Sequence, residues 1–168
     1  MPQESAIQTR LDKAIRRLQA QRLVLDWAVV EIAAVSGPVL ELGLGNGRSY
    51  DHLRKRMPKR QIFVFERNVQ AHPDTIPPDA FLILGNLEHT LPAAQERFAG
   101  RAALIHSDIG TGDDNRNAAF AAWLGPQIKP LLAPGGILAS DQRLDALADR
   151  AVPLPDGVGE GRYYLYRR

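Results

Sequence analysis

The sequence predicts an α/β fold, a mostly parallel sheet wound on both faces by helices and closed by an antiparallel hairpin. Three observations predict it. Short apolar, β-branched runs alternate with helical patterns along most of the chain. The first run, Val39-Leu40-Glu41-Leu42, ends in a loop with glycine at every second position, and a helical pattern follows. Beyond residue 150 the pattern changes to two short strands around a turn at 155–161.

Taken in order, Ile7, Leu11, Ala14, Ile15 and Leu18 recur at helical spacing, so the chain opens with an amphipathic helix. From Leu23 onward the apolar positions run nearly all round, which buries this half more deeply, until Gly37-Pro38 stops it. Trp27 belongs to the core. Strand signals follow at 39–42, 61–65, 81–84, 102–106 and 137–140. After the first, Tyr50, Leu53 and Met57 fall on one helical face. Pro73, Pro77 and Pro78 leave room for at most a short helix between strands two and three. A helix at 91–98 joins strands three and four. A longer one at 115–132 joins four and five, with Gly125-Pro126 kinking or breaking it. Residues 152–154 and 163–166 form the hairpin, and Tyr163-Tyr164-Leu165-Tyr166 alternates as sheet packing does. At 168 residues the chain is expected to form one domain, a helical segment at 1–36 and an α/β core at 37–168.

Composition narrows the class. Hydrophobic residues at 45% and charged residues at 24% are globular values. The absence of cysteine excludes disulfides, thiolate metal sites and a cysteine nucleophile. Residues 2–22 are too polar for a signal peptide, and the most apolar stretch, 23–35, is too short to cross a bilayer and contains Asp26 and Glu31. A soluble, cytoplasmic protein with no membrane partner is expected. A net charge of +2 is too small to imply nucleic acid. The basic runs Arg10, Lys13, Arg16, Arg17, Arg22 and Arg54, Lys55, Arg56, Lys59, Arg60 read as solvated helix faces, because no aromatics interleave them. The oligomeric state is not legible in the sequence.

The glycine loop carries the function. Gly43, Gly45 and Gly47 let backbone approach a ligand, and the next helix points free N–H groups into the same space. Tight packing between strand and helix would also use such a turn. A dinucleotide fingerprint would need its third glycine at position 48, where the chain has Arg48. The run Glu41-Leu42-Gly43-Leu44-Gly45-Asn46-Gly47 instead resembles motif I of the class I S-adenosylmethionine-dependent methyltransferases. Leu132-Ala133-Pro134-Gly135-Gly136-Ile137 resembles that family's turn before strand five, and the terminal hairpin fits the same architecture. The resemblance covers nearly the whole chain. It implies a Rossmann-like, seven-stranded, doubly wound sheet, S-adenosyl-L-methionine as cofactor, and a small single-domain bacterial enzyme acting on a small molecule, O-methylation among the options. Two rivals stand beside it, a non-catalytic binder of the same cofactor and a nicotinamide-dependent dehydrogenase domain. Arg48 and the hairpin oppose the latter.

What the resemblance implies residue by residue is as follows. Gly43, Leu44, Gly45, Asn46, Gly47 and Ser49 surround the cofactor. Glu66, at the end of strand two with Arg67 after it, accepts hydrogen bonds from the ribose hydroxyls. Gly85, Asn86 and Leu87 follow strand three. Asn86 replaces the usual acid but its amide oxygen still accepts from adenine, and Leu87 covers the ring. Glu41 helps place the methionine amino group or braces the loop. Asp108 and Asp141, after strands four and five, face the transferring methyl. Their placement resembles the catechol-type O-methyltransferases, where such acids hold a divalent cation, although Gln142 replaces an expected Asn. No metal is fixed by the sequence, and Asp108 as orienter or base of the nucleophile is the stronger reading. His106 lies within the strand signal and reads as a hydrogen-bonded core histidine rather than a general base. The loop 110–115 is either a mobile lid or a cap on the helix after it. The N-methyltransferase signature Asn/Asp-Pro-Pro-Tyr/Phe is absent.

Overall fold

The computed structural model describes residues 8–168, so Ile7 lies outside the described residues. Apolar runs become strands because both faces of a parallel sheet are covered. They are β1 (Val39–Leu42), β2 (Ile62–Glu66), β3 (Leu82–Leu84), β4 (Ala102–Ser107) and β5 (Leu132–Ser140), followed by β6 (Ala151–Val152) and β7 (Tyr164–Arg167). The order across the seven-stranded sheet is β3-β2-β1-β4-β5-β7-β6. The β1–β5 pairings are parallel, and β7 pairs antiparallel with both β5 and β6, so within the hairpin only β7 runs against the sheet. Helices α1 (Arg10–Glu31) and α2 (Arg48–Arg56) pack Leu25, Ala28, Tyr50 and Leu53 against one face. Helices α3 (Leu87–Phe98) and α4 (Asp114–Ile128) pack Leu91, Phe98, Leu124 and Ile128 against the other. Short 3₁₀ turns at Pro73–Thr75 and Asp79–Phe81 fill the proline-rich connection.

Four details depart from the expectation. The apolar stripe in the first half of α1 finds no core. Leu11 is 69% exposed, Ile15 44% and Leu18 37%, and burial begins at Ala20. That half is held by local chemistry instead, a capping box in which Thr9 Oγ1 accepts from Asp12 N and the Asp12 carboxylate accepts from Thr9 N. Second, Gly125-Pro126 does not break α4 at once, because a proline removes only its own N–H bond and flanking turns pack on the core, and the helix ends at Ile128, before a 3₁₀ turn at Lys129–Leu131. Third, the Pro134-Gly135-Gly136 turn lies inside β5. Gly135 N donates to Arg168 O (2.8 Å) and Arg168 N to Gly136 O (3.0 Å), so pairing captures the turn while the register with β4 slips between Ala102 and Leu104.

Fourth, Arg60 is half-buried rather than solvated. Its guanidinium donates to Val35 O (2.8 Å), Gly37 O (2.7 Å) and Ile32 O (3.1 Å), satisfying carbonyls left over at the end of α1. Arg60→Ala is expected to destabilise the fold by about 1.5–3 kcal/mol, the usual worth of hydrogen bonds to a charged group. Urea unfolding measures it, and an unchanged midpoint would show those carbonyls to be hydrated anyway. Among the described residues no helix is long and apolar enough to cross a membrane.

Candidate functional site

Parallel strands end on one edge, and there the loops after β1, β2, β3 and β4 meet. Gly43 and Gly47 have φ of 84°, a region that favours glycine, and Gly47 is the N-cap of α2. The loop is tied to β2 by Glu66. Its Oε2 accepts from Leu44 N (2.8 Å) and Gly45 N (3.2 Å), and its Oε1 from Arg67 N (2.7 Å) and Asn68 N (2.9 Å). Burial pushes the Glu66 carboxyl up, but the amides of Asn68, Leu44, Gly45 and Arg67 outweigh it and hold the group below its ordinary value. A carboxylate has about four acceptor sites, and backbone amides take all four. A ribose hydroxyl at Glu66 must therefore displace an amide, and Gly45 N makes the longest of these bonds.

A cavity of about 550 Å³ opens over this edge. Gly43, Leu44, Gly45 and Asn46 line it, as do Glu66 and Arg67, then Gly85, Asn86 and Leu87. Asn86 caps α3 without a side-chain bond to it. Glu41, Ser49 and Asp108 complete the expected set, while Gly47 contributes its backbone to the loop rather than a wall. Residues the sequence reading missed form the other side, Arg17, Leu18 and Gln21 from α1 and Arg116, Asn117 and Phe120 from α4. Arg17 stood in the sequence only within a basic run read as a solvated helix face, and nothing local marked the others.

Behind the wall lies a buried polar chain. Ser49 Oγ donates to Glu41 Oε1 (2.6 Å), and His106 Nδ1 lies 2.9 Å from both Glu41 oxygens. His106 Nε2 is 3.1 Å from the Tyr163 hydroxyl, which donates to Asp108 Oδ2 (3.1 Å). Gln21 Nε2 donates to the same oxygen. Glu41, His106 and Tyr163 are 1%, 0% and 2% exposed. The pairing of Glu41 with His106 across β1 and β4 places them side by side. Burial pushes His106 down, but Glu41 first, then Asp108 and Asp141, pull it above its ordinary value. Burial raises the Tyr163 phenol far out of the physiological range.

Asp141 does not line the cavity. Its Oδ2 accepts from Gly110 N (2.8 Å) and Gln142 Nε2 (3.2 Å), and its Oδ1 is buried without a partner, as is Ser107 Oγ. Burial, then the Asp108 charge, raises its carboxyl. A side chain at Gly110 would run into Asp141 and Gln142, so the glycine lets the loop close on them. The cation that the catechol-type resemblance implied does not fit these groups. Asp108 and Asp141 each spend an oxygen on protein donors, Gln142 turns its amide N–H toward Asp141, and among the described residues no three His, Cys, Asp or Glu side chains gather. In the loop 110–115, Asp113 caps α4 by accepting from Arg116 N (3.0 Å), and Asn117 ties back to Thr111 (2.8 and 2.7 Å).

Comparison with known proteins agrees with this geometry. A family model described as S-adenosyl-L-methionine methyltransferase matches residues 8–168. The crystal structure of S-adenosyl-L-methionine methyl transferase from Silicibacter pomeroyi DSS-3 is 48% identical, with a TM-score of 0.91 over 96% of this chain and 99% of that one. Human methyltransferase-like protein 13 in complex with SAH shares 15% identity and a TM-score of 0.50, over 92% of this chain and 79% of that one, a likeness of fold alone. No curated protein matches this chain.

Proposed function

This chain belongs to the S-adenosyl-L-methionine methyltransferase family, and from that premise we propose that its acceptor is a small molecule with a protonated nucleophile, a hydroxyl foremost, seated against Asp108. The observation that carries this is one cavity whose lining joins the glycine loop and Asn86 with Asp108, Leu18 and Phe120. Its volume, about 550 Å³, falls in the roughly 300–1,000 Å³ range of small-molecule sites. The cofactor supplies a methyl group already activated by sulfonium charge. The residues need to align, to exclude water and to accept one proton. In this reading Asn86 and Leu87 hold the base, Glu66 the ribose, and Glu41 with Ser49 the amino-acid end. Asp108 accepts the acceptor's proton, and Asp141 braces the loop that carries Asp108.

The test is a screen of phenols, small amines and carboxylates for release of S-adenosylhomocysteine, with hydroxyl acceptors expected to turn over fastest. Turnover confined to peptide or nucleic-acid substrates would overturn the small-molecule reading. Glu66→Ala is expected to weaken S-adenosylmethionine binding roughly 10- to 100-fold, matching 1.5–3 kcal/mol for hydrogen bonds to a charged group. It should also flatten acid sensitivity. A carboxyl held low in the folded state stabilises above about pH 4.5 and loses that contribution as pH falls, so the wild type loses it and the variant has none to lose. Calorimetry and acid melts read both, and wild-type affinity in the variant would place the ribose elsewhere.

A further inference from the structure

The buried chain Ser49–Glu41–His106–Tyr163–Asp108 reaches the cavity through Ser49, Glu41 and Asp108, which are among its lining residues. Its proton positions follow from geometry. His106 Nδ1, 2.9 Å from two carboxylate oxygens, must donate to Glu41. The Tyr163 hydroxyl has one proton and two neighbours that compete for it, Asp108 Oδ2 and His106 Nε2. When that proton points to Asp108, Nε2 must carry its own, and His106 is an imidazolium between two anions. When it points to Nε2, His106 is neutral and Asp108 loses one donor.

We propose that this chain is a proton store, emptied when the cationic cofactor enters the cavity and refilled by the proton that the acceptor gives up on methylation. The inference rests on the reading of the cavity as the cofactor and acceptor site. The sulfonium, which S-adenosylhomocysteine lacks, adds a positive charge on the cavity side of this chain beyond the amino-acid end that both ligands share, so the imidazolium held between Glu41 and Asp108 releases its proton to solvent. The groups facing His106 are Glu41 from β1, Asp108 after β4, Asp141 after β5 and Tyr163 before β7. Gln21 of α1 and Ser49 of α2 reach the chain uncharged, and Ala139 and Leu165 pack around it as apolar contacts.

During transfer the acceptor's lone pair forms the new bond to the methyl carbon, and the carbon–sulfur pair stays on sulfur. The acceptor's proton passes to Asp108. Asp108 returns a proton to the Tyr163 oxygen as the Tyr163 proton moves to His106 Nε2. Charge balances: the sulfonium charge disappears as the imidazolium charge forms. Tyr163 ends as the phenol it began, and Asp108 as an anion ready for the next acceptor. His106 is thus a positioning residue and proton reservoir, acting through Tyr163 on Asp108.

The experiment compares S-adenosylmethionine with S-adenosylhomocysteine, which differ in sulfonium charge. Calorimetry in buffers of different ionisation enthalpy, from about pH 6 to 9, reads protons released on binding. S-adenosylmethionine is expected to release roughly one proton over part of that range and the homocysteine a small fraction of one. In ¹⁵N-histidine spectra of the wild type, His106 should turn neutral with the first ligand and remain an imidazolium with the second. His106→Gln should abolish the difference between ligands. The spectra stand by themselves where that variant fails to fold. Tyr163→Phe should keep the proton release but cut turnover at least tenfold and shift its pH profile. Tight binding of both ligands with no difference in proton release and no change at His106 would overturn the store alone. Failure of S-adenosylmethionine to bind would overturn the reading of the cavity and the store with it.

Discussion

The Asp108→Asn variant is expected to turn over about 100-fold more slowly or worse, the low end for a lost general base, while its affinity for S-adenosylmethionine changes far less. Asparagine keeps the volume, and its amide oxygen still accepts from Gln21 and Tyr163, so the buried chain keeps its shape. What it loses is the capacity to take a proton. Steady-state release of S-adenosylhomocysteine against an acceptor from the screen measures the first quantity, and calorimetry the second. EDTA is expected to leave turnover unchanged, because Asp108 and Asp141 each give one oxygen to protein donors and Gln142 turns an amide N–H rather than its oxygen toward Asp141. Full activity in the variant would leave alignment alone as the source of the rate. Activity abolished by EDTA and restored by Mg²⁺ would instead return the metal.

Gly45→Val is expected to fold and to lose cofactor binding by more than about 100-fold, some 2.7 kcal/mol or above. Gly45 has φ of 53°, and a side chain there meets no protein atom within 4 Å, so valine would project into the open cavity. The backbone strain is about 1–2 kcal/mol, a fall of a few degrees in Tm for a chain of this size. Gly47→Val is expected to behave differently. Its side chain would collide with Thr75, whose hydroxyl donates to His72 O, so the 3₁₀ turn at Pro73–Thr75 would be displaced and stability would fall together with binding. Paired melting curves and calorimetry separate the two. Equal loss of Tm in both variants would mean that Gly45 serves packing rather than the ligand.

How far these features were legible from sequence varies by residue. β1 was readable to its bounds because both its ends carry punctuation, Gly37-Pro38 before and Gly43 after. β5 was read short, since Pro and Gly normally stop a strand. The pairing of Gly135 and Gly136 with Arg168, a contact across more than thirty residues of sequence, and that of Leu132 with Ala102 keep the segment in the sheet. Leu11 and Ile15 look like core in any window, because periodicity reports a face and not what lies opposite it. At the site, the glycine loop is local and was legible. Glu66 was picked out by its position, yet its four amide partners come from two separate loops. The link between His106 and Tyr163 spans 57 positions, and nothing in the sequence near either residue signals it.

The strand order also dictates an order of assembly. β6 pairs with β7 alone, so it cannot enter the sheet until β7 has docked on β5, although it comes earlier in the chain. The glycine loop, Glu66 and Asn86 are framed by β1, β2 and β3, which pair with one another and with β4 but with neither β6 nor β7. Tyr163, immediately before β7, reaches His106 only when β7 docks on β5. A chain in which β7 has not yet docked would therefore hold the edge proposed to bind the cofactor while lacking the phenol beside His106, and the kinetic phase in which Tyr163 becomes buried would separate the two.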